Sequence, residues 1–578
     1  MSISKSTGRA SSRAPHERQQ AAPRRRQGSS DYGRQERMSM RSPQQKPSRS
    51  TRPSSQQSRR STNFVVQGSL LAGASILVRI IGMIYRVPLT AIIGAEGNGY
   101  YTSAFSIYTL LLILSSFSMP TAISRIVSGY MAEDSYRNTE RVLKAAFVYA
   151  TIMGFLMFSA LWFGADAIAG LLKKPYCEYA LRALAPTVWI MAYLGILRGY
   201  FQGSGNMVPT AISQILEQIL NAVISVLAAS ILFHRGETAN SLYNDTEYTY
   251  AFGAAGGAIG TGAGALTALL FFIILYLAQR PAMKRAVRRD ESRVAGYGRI
   301  SLVLAATMLP ILISSTVYNI SSVIDDYLFG NVMTALGQAQ NIVTQWGIFG
   351  EYHILFNIPV ALANALSSSL IPSLTRAVAS GNHRDTVSRV RYAIRFTMLI
   401  AIPATIGMAV LASPICRMLF PGKNVGLLIN LTRIGSLAVV FFSLSTISNA
   451  ILQGLGHLNV PLRNALISLA AHIAILIGLM YAGFGIYAVV LSNILFALLM
   501  CILNQLAIQK HVHFRQGIVK VYILPTIASL IMGAAAYAVY FGIRILLPEG
   551  IRNGRIGSAI SVGPAVLIAV VIYIAALL

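Results

Sequence analysis

The segment LRGYFQGSGNMVPTAISQILEQ spans residues 197–218, and LQGLGHLNVP follows at residues 452–461. Laying Gln202 on Gln453 fixes a shift of 251 residues. At that shift Gly99, Tyr101, Phe105, Ser116, Ser118, Arg125, Asp134, Arg182, Gly203 and Gly205 fall on Gly350, Tyr352, Phe356, Ser367, Ser369, Arg376, Asp385, Arg433, Gly454 and Gly456. No gap is needed across this stretch. Each glycine-rich copy lies between two long apolar runs, where it reads as a tight reversal between helices. The chain is therefore a duplicated helical unit, and the setting of that unit decides the fold.

Composition supplies the setting. Of 578 residues, 54% are hydrophobic and 12% charged, with a mean hydropathy of +0.56. A soluble domain carries about twice that share of charge, so this chain could not cover a water-facing surface. It reads as an all-α polytopic membrane protein. Apolar runs predict fourteen transmembrane helices, near 66–93, 100–127, 143–170, 178–203, 207–233, 251–279, 299–329, 346–375, 390–414, 427–453, 459–482, 485–508, 518–547 and 558–578, each long enough for the ~20 residues that one crossing needs. The repeat carries the second span onto the eighth. Six helices separate the copies, so both insert in the same sense, as two parallel-repeat six-helix lobes related by an axis along the membrane normal, followed by two extra C-terminal helices.

Charge subdivides the chain further. The net charge is +28, and the first 63 residues hold 15 Lys and Arg against 3 Asp and Glu among Ser, Gln and Pro. Residues 1–62 therefore read as a disordered basic cytoplasmic tail. The N-lobe follows at 63–280, a basic cytoplasmic linker at 281–298, the C-lobe at 299–510 and the final helix pair at 511–578. Basic residues collect in alternate breaks, for example Arg280, Lys284, Arg285, Arg288 and Arg289 after the sixth span, which places both termini in the cytoplasm. Lys173 and Lys174 fall on the opposite side. Cys177, Cys416 and Cys501 are scattered and read as packing residues.

Ionisable groups within spans are costly, at about 2.5–3.5 kcal/mol each on insertion scales, and mark candidate sites. Arg79 and Arg86 lie seven residues apart in the first span, hence on one face. Guanidinium suits phosphate oxygens. Glu217 in the fifth span and Asp325 and Asp326 in the seventh, with Glu351 and His353 opening the eighth, are gate or coupling-ion candidates and the expected partners of the helix-one arginines. Arg125, Arg376 and Arg198 sit near cytoplasmic ends as snorkelling anchors. Gly256, Gly260 and Gly264 recur at spacing four and permit close helix packing. The absence of a Walker A motif argues against a self-contained ATP-driven pump; no metal site and no cofactor are expected, a monovalent coupling ion being the one requirement left open.

RIIGMIYRVPLTAIIGAEGNGYY (79–101), PTAISRIVSGYMAE (120–133) and the two repeat turns quoted above resemble the stage V sporulation protein B and YtgP branch of the multidrug/oligosaccharidyl-lipid/polysaccharide flippase superfamily, relatives of MurJ-type lipid II flippases. The resemblance runs from about Asn63 to the C-terminus. It implies two six-helix lobes around a cationic cavity, with the last two helices forming a groove for a polyprenyl tail. It also implies pyrophosphate binding by helix-one arginines. Arg79 occupies the matching position, while Arg86 comes one residue later than in the proteobacterial pattern, a turn of about 100°. The implied setting is the cell membrane of a Gram-positive-type bacterium, with cell-wall or sporulation roles.

The reading is a non-enzymatic flippase moving an undecaprenyl-pyrophosphate-linked sugar, lipid II first, from the inner to the outer leaflet by alternating access. Its partners would be that lipid-linked substrate, membrane lipids and cell-wall synthesis proteins, with no nucleic acid. The rivals are a flippase for polysaccharide or teichoic precursors, a drug/cation antiporter, which would favour a carboxylate-lined pocket and twelve spans, and a membrane scaffold acting through the basic tail.

Overall fold

The structure is a computed structural model that describes residue 71 and residues 73–577, except 458, 513–515 and 553. The basic tail lies outside the described residues. Helices account for the architecture, and among the described residues eleven are long and apolar enough to cross a membrane. No strand occurs among them.

The first span is a rod. Helix α1 (Gly73–Ile84) continues into α2 (Arg86–Leu112) without loss of backbone hydrogen bonding, because Tyr85 N–H donates to Ile81 O and Leu89 N–H to Tyr85 O, both at 3.1 Å. The rod ends at Gly94, whose φ of +69° turns the chain where other residues would be strained. The second span runs on through the rest of α2, a π-helical turn at Ile113–Phe117 and α3 (Met119–Ala132). Helices α4 (Tyr136–Leu171), α5 (Glu178–Gly203), α6 (Val208–Tyr243) and α7 (Tyr248–Arg289) complete the N-lobe. Helix α8 (Tyr297–Ala335) leads into α9 (Ile342–Ala379), α10 (His383–Val410), the short α11 (Ala412–Leu419), α12 (Val425–Gly454), α13 (Asn459–Tyr481) and α14 (Ile486–Val512). Helices α15 (Leu524–Leu546), α16 (Glu549–Arg552) and α17 (Arg555–Leu577) close the chain.

The repeat is visible in backbone conformation. Gly205 and Gly456, 251 positions apart, have φ of +84° and +86° at the α5–α6 and α12–α13 reversals. The spacing-four glycines of α7 permit the close approach their pattern implies. A Cβ on Gly256 would stand 2.5 Å from the Ala228 carbonyl oxygen, and one on Gly260 or Gly264 would overlap Ser225 or the Glu217 carbonyl of α6. Such contact supplies dispersion energy that lipid cannot, since burying apolar surface against a neighbour gains little in hydrocarbon.

Helix α8, which the sequence assigns to the C-lobe, packs on both lobes. Its first turns put Ile300, Leu304 and Met308 into an N-lobe core with Met119, Ile123, Val142 and Leu197, while Phe329, Val332 and Met333 join the C-lobe core. The last pair, α15 and α17, packs Ala528, Met532, Ala565 and Tyr573 against the Leu411 end of α10.

The region expected as a linker over 281–298 is helical through Arg289, leaving only residues 290–296 outside helix. That segment is tied to the start of α4. Asp290 accepts from the backbone N–H groups of Arg137 (2.6 Å) and Ser292 (2.7 Å), Asn138 bonds Arg293 O and Ala295 N, and Arg141 donates to Ala295 O at 2.8 Å. Burial pushes the Asp290 carboxyl up, but these hydrogen bonds and the Arg137 charge outweigh it and leave the group below its ordinary value. A depressed carboxylate stabilises the fold above the ordinary carboxylate range and loses that contribution as pH falls through its folded value. Asp290→Ala should therefore free the linker at neutral pH. Tryptic nicking after Arg293 should rise about tenfold, as expected for losing charge-assisted hydrogen bonds of about 1.5–3 kcal/mol, with no further protection in the parent on raising the pH from 7 to 9. An unchanged nicking rate would count against the tether.

Candidate substrate cavity

The two lobes meet closely at one end. At the end where α4 finishes, small residues let the α2 and α9 backbones touch. Asn98 Nδ2 donates to Gly347 O at 2.6 Å, and Thr344 Oγ1 to Glu96 Oε1 at 3.1 Å. A Cβ on Gly347 would overlap the Ala95 carbonyl, one on Gly99 the Val343 carbonyl, and one on Gly350 would lie 2.5 Å from Thr102 Oγ1. Gly99 and Gly350 are repeat-equivalent, so each lobe presents the same glycine to the other. Further along, His353 and Asn357, one turn apart on one face of α9, are exposed. The first rod crosses to this region, packing Met83 and Val87 against the C-lobe core, and Arg79 Nη1 donates one long hydrogen bond to Ala361 O at 3.4 Å. The lobes are thus in backbone contact at the end expected to face outward, while Arg79, His353 and Asn357 stay exposed farther toward the other end.

The helix-one arginines differ in setting. Arg79 is exposed. Arg86 is half-buried with its guanidinium over the rings of Phe105 (5.2 Å) and Tyr101 (5.9 Å), a cation–π platform on its own lobe, and His353 lies within its electrostatic reach. His353 itself bonds Asn357 at 2.9 Å between the rings of Phe349 and Phe356. Glu351 is half-buried, with the Glu96 charge as its electrostatic neighbour.

The expected pairing of these arginines with the carboxylates of the fifth and seventh spans is not what the structure shows. Glu217 takes Arg198 of α5 at 2.6 Å, and Arg198 also reaches Ser213 Oγ. Arg198 therefore has a structural partner; Arg125 is exposed midway along α3, and Arg376 is exposed in the last turn of α9. Asp325 accepts from His472 Nε2 of α13 at 2.5 Å and from Asn493 Nδ2 of α14 at 3.1 Å. Asp326 pairs with Lys174, which also donates to Ser103 Oγ at 2.7 Å and lies 4.5 Å from the Trp346 ring. Lys174 is 0% and Asp326 1% exposed. The physical reason is proximity: helix packing sets Arg198 of α5 beside Glu217 and His472 of α13 beside Asp325, the α4–α5 turn sets Lys174 beside Asp326, and Arg79 and Arg86 are left apart from all three carboxylates.

Lys174 and His472 carry this arrangement, and the sequence reading passed over both. Lys174 reads as an ordinary loop cation because it follows the end of α4. His472 lies in the apolar run LAAHIAI, where an ionisable group is by itself a functional signal. Among the described residues, no three His, Cys, Asp or Glu side chains are arranged to hold one metal ion.

The comparisons bear on this geometry. The family described as Polysaccharide biosynthesis protein matches residues 65–378, more than half of the chain. Lipid II flippase MurJ of Bacillus subtilis (strain 168) is 25% identical over 538 residues, 88% of this chain and 95% of the relative. Stage V sporulation protein B of the same organism is 24% identical over 364 residues, covering 62% and 67%. The solved structure of lipid II flippase MurJ in an inward closed conformation superposes with a TM-score of 0.61 at 15% identity, over 88% of this chain and 97% of that one. An inward-facing multidrug resistance MATE family transporter gives 0.58 at 14% identity over 75% and 98%. The duplicated lobes, the space between them and these matches lead to one conclusion: the chain belongs to the polysaccharide biosynthesis protein family, within the multidrug/oligosaccharidyl-lipid/polysaccharide flippase superfamily, whose members here are transporters rather than enzymes.

Proposed function

We propose that this protein flips lipid II, an undecaprenyl-pyrophosphate-linked precursor, from the cytoplasmic to the outer leaflet of a bacterial cell membrane. The observation that carries the reading is Arg79 and Arg86 on one rod, the first exposed and the second half-buried within reach of His353 of the other lobe, with no carboxylate hydrogen-bonded to either among the described residues. The anionic head group would exchange its hydration for these fixed donors instead of crossing hydrocarbon bare, while its polyprenyl tail stays in the bilayer beside α15 and α17. Both termini lie in the cytoplasm, by the distribution of Lys and Arg. Asp325, bracketed by His472 and Asn493 between α8, α13 and α14, is the coupling-ion candidate, and Asp326 with Lys174 is the gate. Glu351 and His353 line the path.

The test is lipid II translocation in cells depleted of other flippases. A charge-assisted hydrogen bond contributes about 1.5–3 kcal/mol, so the double variant Arg79→Gln, Arg86→Gln should lose about a hundredfold or more in rate at normal membrane abundance. Undiminished translocation would sink the phosphate assignment. A flippase for a polysaccharide precursor is the second reading, favoured by the description of the matching family; it predicts that the same variant loses transport of that glycan while lipid II translocation never depended on the protein.

A further inference from the structure

The repeat pairs α3 and α4 of the N-lobe with the end of α9 and α10 of the C-lobe. In the N-lobe the chain itself covers this helix pair. Ile300, Leu304 and Met308 of α8 are buried against Met119, Ile123 and Val142, and Asn138 and Arg141 hold residues 293–295 of the linker. In the C-lobe the corresponding groove is open. A cavity of about 350 Å³ runs between α9 and α10 over α12, lined by Leu366, Leu370, Tyr392, Ala393, Phe396 and Ile447. Through Ser373 and Arg389 it joins a second of about 420 Å³, lined also by Arg376, Ser380 and Asp385. Helix α15 follows the C-lobe as α8 follows the N-lobe, and it packs Gly533 against Ile406 of α10 while the helical turn before it, Val519–Ile523, also touches α10, yet Tyr392 and Phe396 stay exposed.

The groove has two chemistries in sequence. Its membrane-depth part is apolar, with Tyr392 and Phe396 exposed. The part beside the α9–α10 turn gathers two guanidiniums and two hydroxyls against one carboxylate, Asp385, which engages Arg389 through Nε at 2.9 Å in an exposed pair. Leu366, Leu370 and Ser373 recur at i, i+4 and i+7, on one face of α9. That face is about 180° around the helix from Asn357, which borders the inter-lobe space. The groove therefore lies on the outer wall of the lobe, off the transport path.

We propose that this groove binds an anionic phospholipid of the surrounding bilayer, from the leaflet at the α9–α10 turn, the cytoplasmic one by the arginine bias. One acyl chain lies along Leu366, Leu370 and Phe396, and the phosphate is held by Arg376 and Arg389 with the hydroxyls of Ser373 and Ser380. Basic pockets between helices at the cytoplasmic side suit such head groups. The chain's own N-terminal tail is of the wrong sign for a site with two arginines and one carboxylate, and a soluble anion would leave the apolar half unexplained.

Native mass spectrometry of the full chain in detergent, titrated with phosphatidylglycerol or with phosphatidylethanolamine of the same chains, tests the site. One phosphatidylglycerol should be retained about tenfold more tightly than phosphatidylethanolamine, from two basic residues near the phosphate. The preference should vanish in Arg376→Gln, Arg389→Gln. Retention of either lipid should fall in Ala393→Trp, which fills the apolar part from the half-buried wall of the groove and keeps the arginines. Equal retention of the two lipids by the parent, or a preference that survives the double variant, overturns the proposal. So does displacement of phosphatidylglycerol by a polyprenyl pyrophosphate that phosphatidylglycerol cannot reverse, which would make the groove a substrate site. Transport plays no part in this measurement, so its failure leaves the flippase reading intact, and the converse holds.

Discussion

Lys174→Met is expected to unseat the closed end of the protein. Lys174 stands in the turn after α4, and its partner Asp326 lies on α8 beside the C-lobe core, so their buried ion pair ties the two lobes together. Removing one partner leaves a carboxylate that is 1% exposed with no compensating charge, a change worth about 3–5 kcal/mol when a buried pair is broken. The protein can relieve that penalty by letting water reach Asp326, which means parting the lobes at this end. An equilibrium shifted by that amount changes by about two to four powers of ten. A reporter follows from the geometry: Ser103, fully buried, accepts from Lys174, and the three native cysteines are buried. Ser103→Cys should resist a membrane-impermeant maleimide in the parent and react in Lys174→Met. The double replacement Lys174→Met, Asp326→Leu should restore much of the protection, because an apolar pair of similar volume carries no stranded charge. Equal protection in all three proteins would remove the ion pair from the gate.

Gly347→Val should act at the same end by a different cause. The α2–α9 contact is backbone on backbone: a Cβ at Gly347 overlaps the Ala95 carbonyl, and no side-chain rotation can give way. Overpacking of a close contact typically costs about 1–3 kcal/mol, and here the strain is relieved only by separating the lobes. Translocation should fall about tenfold or more, and the Ser103→Cys reporter should become reactive, as it does in Lys174→Met. Gly129→Ala is the control, because a Cβ there meets nothing within 4 Å on an exposed face of α3, and it should behave as the parent. If the two glycine variants transport alike, the sealed contact is not part of the cycle.

Much of the architecture is legible in the residues because its causes are local. A span announces itself by a run of apolar side chains, and the turns at Gly205 and Gly456 by a backbone conformation that glycine adopts without strain. The spacing-four glycines of α7 gave their packing for the same reason, since residues four apart share a helix face. The division of α8 between the lobes was not legible. Its whole length is apolar, so nothing along it records that Ile300 belongs to one core and Phe329 to the other.

The candidate site divides in the same way. The sequence by itself determined a duplicated, membrane-embedded helical transporter and marked Arg79, Arg86, Glu217, Asp325 and Asp326 as charges that need a reason to be where they are. Burial energy depends on each residue and its near neighbours, so one dimension suffices to find them. Their partners were decided only by the tertiary structure. Lys174 and Asp326 are 152 positions apart and His472 and Asp325 are 147, and electrostatic attraction acts through space, over a few ångströms set by helix packing. The same packing left Arg79 exposed and Arg86 facing His353 of the other lobe, apart from the carboxylates, which made two costly cations the strongest candidates for an anionic substrate.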